Sequence, residues 1–173
     1  PGLPPSAVGV QAECEALQNG VASQYPIIDG IPQLKQEASR FVKAFLNTDI
    51  NPDGCTPTVG SMQASFGALM LCSQLDAKKD TILYIDPGFP VQKMQAKVIG
   101  ANIASFDVAD YRNEKLRDKL ESYFKQGNIC AVLYSSPNNP SWMCLTQQEL
   151  QIIGQLATQY DVIVIEDLAY MTM

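Results

Sequence analysis

The stretch Val162-Ile163-Val164-Ile165-Glu166-Asp167-Leu168-Ala169-Tyr170 decides the fold. Four β-branched apolar residues in a row, following a helical pattern, read as a buried parallel strand. The polar residues that close it sit where open α/β sheets place their ligands, at the carboxyl end of a strand. Upstream, Cys130-Ala131-Val132-Leu133-Tyr134 repeats the arrangement and runs into Ser135-Ser136-Pro137-Asn138-Asn139-Pro140. Polar clusters at two successive strand ends predict one composite site.

Strand and helix patterns alternate around this pair. Strands are expected at 81–85, 102–106, 129–134 and 162–166, and helices at 91–98, 113–125 and 147–160. Thr146 and Glu149 have the spacing of a capping box at the start of the last helix. Earlier in the chain, helices are expected at 10–17, from Pro32 onward with an apolar stripe of Leu34, Ala38, Phe41, Val42 and Phe45, and from about 58 to 74. The last of these is apolar nearly all round and is expected to be buried. The fold class is therefore α/β, a mostly parallel sheet with helices on both faces.

Composition narrows the chemistry. The 173 residues suffice for a sizeable core, and 46% are hydrophobic. A net charge of −6 with no basic stripe argues against nucleic acid or an anionic membrane as partner. Histidine is absent, which removes histidine triads, histidine general bases and most zinc sites, so no metal is expected. No run of ~18 apolar residues predicts a membrane span. The start, Pro1-Gly2-Leu3-Pro4-Pro5, lacks the charged and apolar regions of a signal peptide. Five widely spaced cysteines, with Cys72 and Cys130 in apolar runs, fit free thiols in a reducing cytoplasm. Lys78, Lys79 and Lys93 sit in polar contexts and read as solvated surface.

Several short segments could carry chemistry. Gly60-Ser61-Met62 opens a helix, where free N–H groups and the helix dipole favour an anion. Phe89, held between Gly88 and Pro90 after a strand, could stack on a flat ligand. Asn138 and Asn139 offer side-chain amides, and Asp167 is an anion needing a cationic or hydrogen-bonding partner. Taken singly, each fits an ordinary cap, turn or packed ring at least as well.

Together, and in this order, they resemble the fold-type-I, class I/II aminotransferases that use pyridoxal 5'-phosphate. Asp167-Leu168-Ala169-Tyr170 is similar to the family's D-x-A-Y. Pro137-Asn138-Asn139-Pro140 is similar to most of N-P-x-N-P-T-G, with Ser136 in place of the first Asn and Ser141-Trp142 in place of Thr-Gly. Gly60 to Ala64, Pro87 to Pro90, Tyr25 to Gly30 and Gly2-Leu3-Pro4 resemble the phosphate turn, the ring-stacking turn, the Y-x-x-x-x-G segment and a substrate-side G-x-P.

The resemblance implies roles for these residues. Asp167 would pair with the cofactor's ring nitrogen, and Asn139 and Tyr170 would bond its 3-oxygen. Phe89 would stack on the ring. Gly60, Ser61 and Met62 would hold the phosphate. Tyr25 would reach the cofactor of the other subunit of a homodimer, and Gly2 would lie beside the substrate carboxylate. Substrates would be an amino acid and a 2-oxo acid; C–S lyases, decarboxylases, cyclopropane-forming synthases and aminotransferase-like regulator domains share the pattern. Trp142 would either line the substrate side or pack against the sheet. Residues 1–12 would form a lead-in from the small-domain border, and 13–173 part of a three-layer large domain. In the family, the catalytic lysine and two ligand-binding arginines lie beyond D-x-A-Y. The chain, ending at Met173, is thus expected to hold the cofactor cradle of a longer protein, with no catalytic residue and no activity of its own.

Overall fold

Parallel pairing sets the architecture. The computed structural model describes residues 2–172, which divide into two compact units, one up to Pro57 and one from Thr58 onward. In the second unit, four strands, β1 (Thr81–Asp86), β2 (Asn102–Asp107), β3 (Ile129–Ser135) and β4 (Ile163–Asp167), form one parallel sheet in the order β2-β1-β3-β4. The chain therefore steps from β1 to β2 in one direction and from β3 to β4 in the other. Connections of the same hand that run in opposite directions across a sheet must place their helices on opposite faces.

The core shows this sorting. Side chains alternate across each strand. Ile82 and Tyr84 of β1, with Ala131 and Leu133 of β3, pack with Leu69 and Cys72 of α3 (Gly60–Leu75) and Ala96 of α4 (Pro90–Val98). Leu83, Ile85, Val132 and Tyr134 point the other way. They meet Leu116, Leu120 and Phe124 of α5 (Glu114–Phe124) and Ile152, Ile153 and Leu156 of α6 (Gln147–Tyr160). Each of the fully buried aliphatic side chains contributes about 1.5–3 kcal/mol relative to exposure. The result is the expected α/β/α layering. Cys72 and Cys130 are core residues, and burial pushes the Cys130 thiol up to about 11.

A buried ion cluster pins the helical layer beneath α5 and α6. Glu149, fully buried, is the third residue of α6 and completes the capping box with Thr146. Its carboxylate accepts hydrogen bonds from Arg112 Nε (2.6 Å) and Nη2 (2.7 Å) and from the backbone N–H groups of Asn113 (2.9 Å) and Thr146 (2.8 Å). Burial pushes the carboxyl up, but the Arg112 bond and the two N–H groups outweigh it and hold the group at about 2. The starts of α5 and α6 are thereby tied together.

Three expectations about burial need correction. The strand β4 is parallel, but Ile163 is 40% exposed and Val164 also faces solvent; among the described residues β4 is an edge strand, paired with β3. Helix α3 buries only Ser65, Leu69 and Cys72; Met70, Leu71 and Leu75 point away from the sheet and are exposed. Lys79 and Lys93 are not free surface charges. Lys79 binds the Asp161 carboxylate (3.0 Å) and the carbonyls at the carboxyl end of α6, and Lys93 pairs with Asp86 and lies over the Tyr84 ring.

The first unit contains α1 (Ala7–Gln18), longer than the expected 10–17, and α2 (Pro32–Leu46), opened by Pro32. Gly30 has φ +93°, and a Cβ there would meet Pro57 Cγ at 2.5 Å, so the turn requires glycine. Among the described residues of this unit the buried one is Lys35, bound to Asp29 (3.2 Å). The apolar stripe of α2 (Leu34, Phe41, Phe45) is uncovered.

The Glu149 cluster makes acid stability predictable. A carboxyl held near 2 rather than at 4.5 contributes stability that is complete above about pH 4.5 and is lost as pH falls toward 2. Arg112→Ala should cost about 3 kcal/mol at neutral pH, by leaving a buried charge uncompensated. Urea unfolding followed between pH 6 and about 2.5 should show the gap between wild type and Arg112→Ala closing toward acid; a gap that stays constant contradicts this account.

Candidate functional site

The winding of the sheet reverses between β1 and β3, and at such a point the loops after adjacent strands diverge and leave a crevice. Four segments converge there. Asp167 ends β4 level with Ser135, its register partner on β3. Alternation along β4 puts Ile165 and Asp167 on the face that carries α3 and α4. The adjacent Glu166 falls on the other face, beside the buried Tyr134 phenol, whose proton burial holds in place. The strand's geometry thus separates two consecutive carboxylates and delivers one to the crevice.

Ser61, Met62, Phe89, Asn139, Asp167 and Tyr170 line a single cleft of about 200 Å³, together with Ser135 and Ala169. A second cavity, of about 330 Å³, shares Ser61, Asp167 and Ala169 and extends along the small residues Ala64, Ser65 and Ala68 of α3. Gly60 is the first residue of α3, with φ +72°. The Val59 N–H donates to Gln63 Oε1 (2.6 Å) and the Gly60 N–H to the Thr58 carbonyl (3.0 Å), while no N-cap side chain accepts from the N–H groups that follow at Ser61 and Met62. Phe89 immediately precedes α4 and is half-buried. Tyr25 and Gly2 belong to the first unit, where Tyr25 is 91% exposed.

Polar contacts assign the loop residues. Asn139 Nδ2 donates to the Tyr170 hydroxyl oxygen (3.1 Å), which leaves the phenol's own proton free to be donated outward. Trp142 stands edge-on to Tyr170, ring centroids 5.7 Å apart, and does not pack against the sheet. Asn138 is turned inward and buried. Its Nδ2 donates to the Pro87 carbonyl and to Ser135 Oγ (3.2 Å), and its Oδ1 accepts from Ser141 N (3.2 Å) and Ser141 Oγ (2.7 Å). Asn138 therefore fastens the loop after β3 to the turn that carries Phe89, while Asn139 faces the cleft.

Asp167 itself is held from two sides. Oδ1 accepts from the Ala169 N–H (3.1 Å) and Oδ2 from Gln92 Nε2 (2.9 Å). Gln92 was not among the residues picked out from sequence. The available signal was its place, one helical turn before Ala96, on the stripe of α4 that packs on the sheet. A polar residue on a buried stripe implies a polar partner.

The family model for aminotransferase class I and II matches residues 2–173. This chain belongs to the aminotransferase class I and II family. The glutamate-pyruvate aminotransferase of Escherichia coli is 30% identical over 165 residues, which is 93% of this chain and 39% of that protein. A probable aspartate aminotransferase of Methanocaldococcus jannaschii is 25% identical over 161 residues, covering 93% of this chain and 41% of its own length. Among solved structures, the aspartate aminotransferase of Thermotoga maritima superposes with a TM-score of 0.78 at 25% identity, over 96% of this chain and 44% of that one. An aminotransferase from Neisseria meningitidis gives a TM-score of 0.82 at 23% identity, over 97% and 42%, a likeness of fold. The chain spans about two fifths of the length of these relatives.

The two asparagines should part company on mutation. Asn138→Ala should lower stability by about 1–3 kcal/mol, because it strands buried partners. Asn139→Ala should change it by less than about 0.5 kcal/mol. Urea unfolding of both variants checks this; equal losses would contradict the division of labour.

Proposed function

We propose that this chain forms the pyridoxal 5'-phosphate cradle of an aminotransferase that moves an amino group between an amino acid and a 2-oxo acid. The observation that carries the reading is the convergence on one cleft of an uncapped helix start, an aromatic ring, an oriented carboxylate and a phenol with a free proton. A phosphorylated, protonated pyridine bearing an oxygen calls for those four groups, so the residues fit the cofactor. Bound there, pyridoxal phosphate would supply an electron sink for charge developing at the substrate carbon.

The chain's own residues bind and orient. The N–H groups of Ser61 and Met62, with the Ser61 hydroxyl, would hold the phosphate at the positive end of the α3 dipole. Gly60 admits the close backbone approach. Phe89 would cover one face of the ring. Asp167 would accept the ring N–H and keep that nitrogen protonated, a charge-assisted bond stronger than a neutral one. Tyr170, with its oxygen already engaged by Asn139, would donate its proton to the ring oxygen. Tyr25 is proposed to reach the partner subunit's cofactor in a homodimer, and Gly2 to lie near the substrate carboxylate. Among the described residues no lysine lines either cavity, so cofactor binding by this chain is reversible.

Trp142 provides a built-in probe, since it is the only tryptophan and contacts Tyr170. Titrating the chain with pyridoxal phosphate should quench its fluorescence to saturation, and dialysis should restore it. Asp167→Ala should weaken binding by roughly tenfold or more, from the loss of a hydrogen bond between charged groups. Inorganic phosphate should compete. Absence of saturable binding, or an Asp167→Ala variant that binds as wild type does, contradicts the proposal.

A further inference from the structure

The geometry points to Gln92 as the positioning residue for Asp167, an inference that rests on the cofactor reading above. Gln92 is 5% exposed and is fixed at both ends. Its backbone carbonyl accepts a hydrogen bond from the hydroxyl of Tyr84 (3.1 Å), a core residue of β1, and its side chain reaches across to Asp167, 75 residues further along the chain. The helix is thus anchored to the sheet at the residue whose side chain orients the carboxylate.

The chemistry of this donor matters as much as its position. With the Ala169 N–H on one oxygen and the Gln92 amide on the other, the carboxylate cannot turn, yet each oxygen keeps acceptor capacity for a further donor in the cleft. An amide orients without neutralising: it brings no charge and carries no proton that Asp167 could take. A cationic partner would instead satisfy the carboxylate internally and compete with a protonated ligand nitrogen. The chain has no histidine. The nearest candidate in sequence, Lys93, is drawn off to Asp86 and the Tyr84 ring. The full negative charge of Asp167 is therefore left for the ligand, held in one orientation by a neutral clamp.

Two measurements on the 173-residue chain test this. The first is the ring-nitrogen NMR shift of 15N-labelled pyridoxal phosphate bound to wild type and to Gln92→Met, which preserves length and removes the donor. Wild type should show the shift of a protonated ring nitrogen. Gln92→Met should bind about tenfold more weakly, with its shift displaced toward the unprotonated value. A merely structural role would lower stability without moving the shift. The second needs no substitution at Gln92 and no cofactor. In the free chain, the Gln92 side-chain amide protons should exchange more slowly than those of the exposed Gln33, and Asp167→Ala, which removes the acceptor, should narrow the difference. Wild type that binds with a protonated nitrogen, alongside a Gln92→Met variant of unchanged shift and affinity, overturns the role of Gln92 and leaves the cofactor reading standing. Exchange at Gln92 as fast as at Gln33 overturns it as well. Wild type that fails to bind pyridoxal phosphate overturns the cofactor reading and this inference with it.

Discussion

Everything in the cleft depends on the register of β3 against β4. Parallel pairing sets Ser135 opposite Asp167, and the two-residue period of the strand then dictates which side chains enter the crevice. A slip of one residue would exchange Asp167 for Glu166, putting the anchored carboxylate among the aliphatic residues of α5 and α6. Val162, at the head of β4, lies in the core on the α5 and α6 face and Ile165 packs on the core of the α3 and α4 face, and both would lose their places in that slip. The chemistry of the site is in this sense a consequence of how the sheet buries its apolar surface.

Helix α4 transmits that register to the rest of the cleft. It begins just after Phe89, ties to Asp167 through Gln92, and reaches α3 through Gln95, whose amide donates to the Met62 carbonyl (2.8 Å) and accepts from Ser65 Oγ (2.8 Å). One short helix thereby sets the relative positions of Phe89, the Asp167 carboxylate and the start of α3. Asn138 does the same on the other side, joining the loops after β1 and β3. Helices and strands hold or flank most of the cleft's side chains, and the loops contribute mainly Asn139 and Tyr170.

Much of this was legible from sequence, because the relevant signals are local. The strand at 129–134 and the helix at 147–160 are marked by an apolar run and a capping box, and they form where those signals place them. The short motifs each belong to a strand end or a helix start, and the residues they single out at 61, 62, 89, 139, 167 and 170 line one cleft. The rest depends on tertiary surroundings. An apolar pattern states that a face is suited to burial, not what covers it, so α3 and β4 expose residues expected to be inside. Two consecutive asparagines look equivalent until the loop turns one of them inward. Gln92 lies far from Asp167 in sequence, and only the packing of α4 on the sheet brings them together.

The central claim is that the strand-end cleft is where pyridoxal phosphate binds. Amide chemical-shift mapping of the isotope-labelled chain during titration with pyridoxal phosphate tests it most directly. The account predicts saturable shifts concentrated at Ser61, Met62, Phe89, Asn139, Asp167 and Tyr170, with the α5 and α6 layer unmoved. Shifts centred on any other surface, or none at saturating ligand, would contradict it.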